Sequence, residues 1–190
     1  MAIKLDELDL KIVDCLNKDG RLSVTDLSNR VGASRPTVTS RLRHLLERGA
    51  LKVKGGLDAK SLGFKVATVG LDVKSEGERS RVLETLRNCP RVLSVYRGLE
   101  KASLALFLWG EDEETLKSTI ESYRRLADGG LTYTHYLGTP LHGDTLIEPC
   151  MEKGEKAHCG AYCPNCSSYQ NEWCPGCPST KFHKPTFLTG

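Results

Sequence analysis

The 190-residue sequence has no run near the roughly 18 apolar residues that a membrane span needs. Its opening stretch, MAIKLDELDLKIVD, carries acids where a signal peptide has an apolar core. Both absences predict a soluble, cytoplasmic protein with no membrane partner. Cysteine is scarce for a disulfide-stapled scaffold: eight residues, about 4 per cent of the chain. Its placement therefore matters more than its number, and six of the eight lie after residue 149. Charge of one sign is lacking too, with 27 basic residues against 24 acidic ones. A chain of this length accommodates one or two small domains.

The near-neutral total hides a local surplus. Residues 21–54 hold eight basic side chains and only two acidic ones, Asp26 and Glu47. Such a stretch suits a phosphate backbone. It also reads as helical. Leu8, Ile12, Val13, Cys15 and Leu16 recur at helical spacing behind the acids Asp6, Glu7 and Asp9, and Gly20 stops the run. Ser23 caps a second helix with Val24, Leu27 and Val31 inside, ended by Gly32. A third starts at Ser34, carries Pro36 in its first turn and buries Val38, Leu42, Leu45 and Leu46. Its other face shows Ser34, Arg35, Thr37, Thr39, Ser40, Arg41 and Arg43, side chains suited to base edges and phosphates of double-stranded DNA. Arg41 has a second reading, as a brace for the turn. Leu51 to Gly56 alternates apolar and basic residues, as a small strand or wing beside the DNA backbone does.

The stretch from Leu5 to Leu51, with its Asp-Gly-Arg-Leu-Ser segment and the Gly-x-Ser-x-Pro-Thr-Val approach to the third helix, resembles the helix-turn-helix domain of the Lrp/AsnC (feast/famine) transcription regulators. The resemblance implies an α+β chain: a winged helix-turn-helix followed by a ferredoxin-like βαββαβ domain for dimerisation and effector sensing. The residues agree. Val66, Val69, Leu71 and Val73 read as a strand, and Val82, Leu83 and Leu86 as a helix ending near Cys89-Pro90. Val92–Arg97 and Ala102–Trp109 read as paired strands, Glu111–Ala127 as a helix and Leu131–Leu137 as a last strand. Leu104, Leu106, Leu108 and Val95 are assigned to a sheet face left uncovered by helices. That predicts a homodimer, with larger assemblies open, on a pseudo-palindromic operator. The family's amino-acid effector turn, Gly-x-x-Asp, maps its glycine onto Gly98. Lys101 stands where the Asp belongs, and its charge repels an ammonium.

After a polar linker comes HCGAYCPNCSSYQNEWCPGCP. Cys159, Cys163, Cys166, Cys174 and Cys177 are spaced C-x3-C-x2-C-x7-C-x2-C. Two Cys-Pro-x-Cys turns can each aim two sulfurs at one ion, which predicts a metal site. Zinc fits four thiolates. The first three cysteines also have the spacing with which radical S-adenosylmethionine enzymes hold an iron–sulfur cluster, so that cofactor is the alternative. The stretch further resembles small cysteine-rich domains of the form C-G-x-Y-C-x-x-C ending in C-x-G-C. His158 and His183 are read as surface residues, Cys150 as a linker thiol, and Cys15 and Cys89 as core cysteines. Tyr162, Tyr169, Trp173 and Phe182 are expected to form a shell around the metal.

The expected organisation is residues 1–56 for DNA binding, 57–140 for dimerisation and effector sensing, 141–157 as linker and 158–190 as metal-binding tail. The expected function is sequence-specific transcription regulation without enzymatic activity, the metal being either sensory or merely structural. An enzyme of the sirohaem-decarboxylase type on the same layout, or a metal-binding interaction protein, is the competing reading. The strand Val92–Arg97 has no histidine to match the active-site stretch of those decarboxylases.

Overall fold

A computed structural model describes residues 4–98, 103–128, 130–138, 140–141 and 143–186, which form two compact units, 1–55 and 56–190. The first holds helices α1 (Glu7–Lys18), α2 (Val24–Val31) and α3 (Arg35–Glu47). Short polar residues start each one. Asp6 and Asp9 form a reciprocal capping box at α1, Ser23 and Asp26 another at α2, and Ser34 accepts the Thr37 N–H at α3. Gly32, with φ 68°, turns the chain between α2 and α3 in a conformation that side chains with a Cβ resist. Ile12, Leu27, Val38 and Leu45 close the core. Leu46, assigned inward from its spacing, is 44% exposed instead. The core takes a narrower stripe of α3 than the apolar count suggested.

No wing forms in the described structure of residues 51–56, which adopt no strand. An isolated extended segment leaves its N–H and C=O groups without a ladder, and the first strand that follows, β1 (Leu57–Asp58), pairs instead with β6 (Leu146–Ile147) of the second unit.

The second unit is built on an antiparallel sheet of β2 (Lys65–Leu71), β3 (Val92–Arg97), β4 (Leu104–Gly110) and β5 (Leu131–Leu137), in the order β3-β4-β2-β5. Helices α4 (Glu76–Arg87) and α5 (Glu113–Arg124) complete the βαββαβ pattern. Ala67, Val69 and Leu71 from β2 meet Leu104, Leu106 and Leu108 from β4 beneath Val82, Leu86, Leu116, Ile120 and Tyr123. The three leucines of β4 thus face the helices, not the open side assigned to them above. Strand alternation explains why: Leu-Ala-Leu-Phe-Leu-Trp-Gly is apolar in both phases, so its pattern does not say which set is inward.

The open side carries Tyr96, Phe107 and, at one end, Trp109. Tyr96 and Phe107 meet edge to face, with ring centroids 5.9 Å apart. The β1–β6 pair covers Trp109, which stacks on Phe64 at 5.0 Å in a small core with Ala59 and Ile147.

Candidate DNA interface and thiol site

On α3, Ser34, Arg35, Thr37, Thr39, Ser40 and Arg43 are all exposed. Part of this polar face serves the helix itself. The Ser34 Oγ lies 2.7 Å from the Thr37 Oγ1, and the Thr39 hydroxyl donates to the Arg35 carbonyl at 2.9 Å. Unlike α1 and α2, α3 has no acid in its first turn. Its positive N-terminal dipole end and Arg35 therefore meet no acid in that turn that competes for an anion.

Arg41 is engaged elsewhere. Its guanidinium lies 2.7 Å from the Asp6 carboxylate and 3.4 Å from that of Asp9, pinning α3 to the start of α1. The Asp9 backbone N–H and the Arg41 charge hold the Asp6 carboxyl below its usual range. Of the two sequence readings, the contacts are those of a brace. We expect Arg41→Ala to leave base preference unchanged in a DNA selection while lowering the melting temperature.

In the second unit the Gly98 N–H donates to the Ser103 carbonyl, closing the β3–β4 hairpin. Residues 99–102, Lys101 included, lie outside the described residues.

The tail folds onto the sheet unit. Cys163–Asn165 forms a 3-10 turn and Ser167–Gln170 a single helical turn, α6. The Cys166 N–H donates to the Cys163 carbonyl, and the Thr180 N–H to that of Cys177. Gly176 stands between the second pair of cysteines with φ 96°, and a Cβ there would come within 2.8 Å of the Phe182 carbonyl oxygen. Only glycine fits.

All five tail cysteines line one cavity of about 60 Å³, whose far wall comes from Cys89, Arg91 and α5, including Tyr123. All eight cysteines are free thiols. Burial pushes the thiols of Cys159 and Cys174 up, and that of Cys89 up to about 11. The Tyr123 hydroxyl donates to Cys89 Sγ at 2.8 Å, and burial raises its own pKa well above the usual value. Soft sulfur donors suit zinc or an iron–sulfur cluster in kind. Among the described residues, no three His, Cys, Asp or Glu side chains are already gathered as a set for one ion. The sulfurs surround the space without closing on a point.

Behind this cavity lies a buried polar network. Arg91 spans the Glu111 carboxylate with contacts of 2.5 and 3.2 Å, and its Nη2 also donates to the Gly176 carbonyl at 2.9 Å. His183 Nε2 is 2.9 Å from Glu111 Oε1, the oxygen that also accepts from Arg91 Nη2, in an ionised carboxylate that can only accept. The Trp109 ring lies 5.1 Å from the guanidinium, and its Nε1–H donates to Pro90. Burial pushes the Glu111 carboxyl up, but the His183 hydrogen bond and the Arg91 charge outweigh it and bring the pKa down to about 2.

Four assignments change here. His183 is buried against Glu111, not on the surface, whereas His158 is exposed. Glu111 does not start the helix: Asp112 caps α5, which begins at Glu113. Cys89 belongs to the thiol cavity as well as the core, a partnership no helical periodicity could reveal. Trp173 is 54% exposed and takes no part in a shell, while Tyr162 meets Phe182 edge to face at 5.2 Å. Cys150 lies outside the thiol cavity and donates to the Glu152 carbonyl.

Residues 5–46 match the AsnC-type helix-turn-helix domain. The chain is 28% identical over 136 residues to the HTH-type transcriptional regulator LrpC of Bacillus subtilis, covering 71% of this chain and 92% of LrpC. It is 31% identical over 123 residues to the proline dehydrogenase transcriptional activator of Rhizobium radiobacter, covering 64% of this chain and 76% of the activator. The solved structure of B. subtilis LrpC superposes with a TM-score of 0.63 at 28% identity, over 74% of this chain and 99% of LrpC. Each similarity leaves a quarter or more of this chain unmatched.

Proposed function

The chain belongs to the Lrp/AsnC family of DNA-binding transcription regulators and is not an enzyme, and from that premise we propose that α3 reads the major groove through Ser34, Arg35, Thr37, Thr39, Ser40 and Arg43. The observation that carries this reading is the exposed polar face of α3, which holds two arginines and has no acid in its first turn. Arginine forms paired hydrogen bonds to guanine, and the hydroxyls meet phosphates near the helix start. Arg41 supports the same face indirectly, by fixing α3 against α1.

The regulator acts as a homodimer joined through the open sheet face, where Tyr96 is 58% exposed beside Phe107. Two such units on one duplex call for half-sites about one helical turn apart, roughly 10 base pairs. Cys159, Cys163, Cys166, Cys174 and Cys177 hold zinc or an iron–sulfur cluster. Its loss loosens the tail and, through Arg91 and Glu111, alters the dimer that presents the helices. The soft donor set and its packing against the sheet support this part.

The test is an operator selection with the full chain at moderate salt, repeated after metal removal. Wild type should enrich a paired half-site. Arg35→Ala and Arg43→Ala should each weaken the selected site by about tenfold, within the ~1–3 kcal/mol of a base-contacting arginine, and relax preference at one position per half-site. No preference in the wild type would overturn the DNA-reading assignment. Equal affinity before and after verified metal removal would overturn the coupling.

A further inference from the structure

We infer that the thiol cavity takes an iron–sulfur cluster, with Cys89 of the sheet layer as one of its sulfurs, and not a single zinc ion. The inference rests on the reading of the tail cysteines as metal ligands and narrows it. Six sulfurs line the cavity: Cys89 and the five of the tail. One tetrahedral zinc and one cluster alike take four cysteines, but at a Zn–S distance of about 2.3 Å the zinc-bound sulfurs crowd into contact with one another. Here no three are gathered for one ion among the described residues, and a void of about 60 Å³ lies between them. A cluster brings its own iron and inorganic sulfide to fill such a centre, and holds its cysteines apart at its corners.

The sequence around these sulfurs has a common element. Cys89, Cys163, Cys174 and Cys177 are each followed by proline, namely Pro90, Pro164, Pro175 and Pro178. These are all the Cys-Pro pairs in the chain, and all four meet at this cavity although Cys89 comes some seventy residues before the rest. A proline after the cysteine leaves no N–H to be satisfied in a dry pocket.

The surroundings also suit an anionic sulfur group. Tyr123 Oη donates to Cys89 Sγ at 2.8 Å. The Ser179 Oγ lies 3.2 Å from Cys177 Sγ, and the Thr180 Oγ1 lies 3.5 Å from Cys163 Sγ. Arg91, 3% exposed and paired with Glu111, also donates to the Gly176 carbonyl and so holds the second knuckle in place. Hydrogen bonds to the sulfurs favour the reduced, more negative form of a cluster and so raise its potential.

The test is anaerobic reconstitution of the full chain with ferric iron, sulfide and a thiol reductant in one arm and zinc alone in the other. The expected product is brown, holds iron and inorganic sulfide in equal amounts, and loses its visible absorption on reduction with dithionite. Cys150→Ser should keep this signature. Cys89→Ser should lose at least half the iron or change the paramagnetic spectrum. Tyr123→Phe keeps the ring and removes the hydrogen bond to Cys89. It should retain the cluster with a midpoint potential shifted to more negative values, so this arm decides the role of Cys89 even where Cys89→Ser does not fold. One colourless zinc per chain with no iron uptake would overturn the inference and leave the metal-site reading standing. Binding of neither would overturn both. An unchanged potential in Tyr123→Phe would remove Cys89 from the site.

Discussion

Glu111→Ala is expected to destabilise the sheet unit by about 3–5 kcal/mol, the range for breaking a buried ion pair from one side. The Arg91 and Glu111 side chains are 3% and 1% exposed, and that of His183 is 6% exposed. Without the carboxylate, the guanidinium keeps, among the described residues, the Gly176 carbonyl and the Trp109 ring as partners. Urea denaturation at neutral pH measures the loss. Limited proteolysis should show the tail cut first, because His183 and Gly176 are anchored through this network. A loss below about 1 kcal/mol, the range of exposed pairs, would contradict the burial.

The same carboxylate sets an acid dependence. Its pKa falls from 4.5 to about 2 on folding. A depressed carboxyl contributes stability that is present above the unfolded value and disappears as pH falls through the folded one. The contribution is roughly 3 kcal/mol at neutral pH, lost between about pH 4.5 and 2. Glu111→Gln preserves shape and removes the titration, so its stability should vary less over that window than the wild type's.

The second large effect is a contrast between neighbours. Leu106→Ala should cost about 2–5 kcal/mol, because Leu106 is fully buried under α4 and α5 and the change leaves a cavity. Phe107→Ala, on the opposite side of the same strand, should cost the monomeric unit less and act mainly on self-association. Chemical denaturation and sedimentation of both variants separate the two effects. Equal losses of stability with no change in association would place Phe107 in the core beside Leu106.

Much of this arrangement is local and therefore readable in advance. Asp6, Ser23 and Ser34 start helices because a short side chain reaches an N–H three residues on. Gly32 turns the chain because its backbone tolerates a positive φ. The polar face of α3 follows from helical spacing, as does the order of strands and helices from 65 to 137. Each short Cys-Pro-x-Cys turn keeps its own two cysteines near one another.

What local patterning could not convey was direction and partnership. The phase of Leu104–Gly110 was undetermined because both sets of alternating residues are apolar, and only packing of α4 and α5 selects Leu104, Leu106 and Leu108 as the inner set. Leu46 has core spacing, but the three-helix core closes without it. Glu111 reads as the start of a helix, Cys89 as a core cysteine and His183 as a surface residue until the chain brings them against Arg91, Tyr123 and the tail. The elements, the caps and the chemical kinds of side chain at each end are set locally, since these depend on neighbours within about one turn or knuckle. Tertiary structure decided which buried charge meets which, and that a sixth sulfur joins the five. Those pairings span 20 to 85 residues, and only the folded chain makes them neighbours.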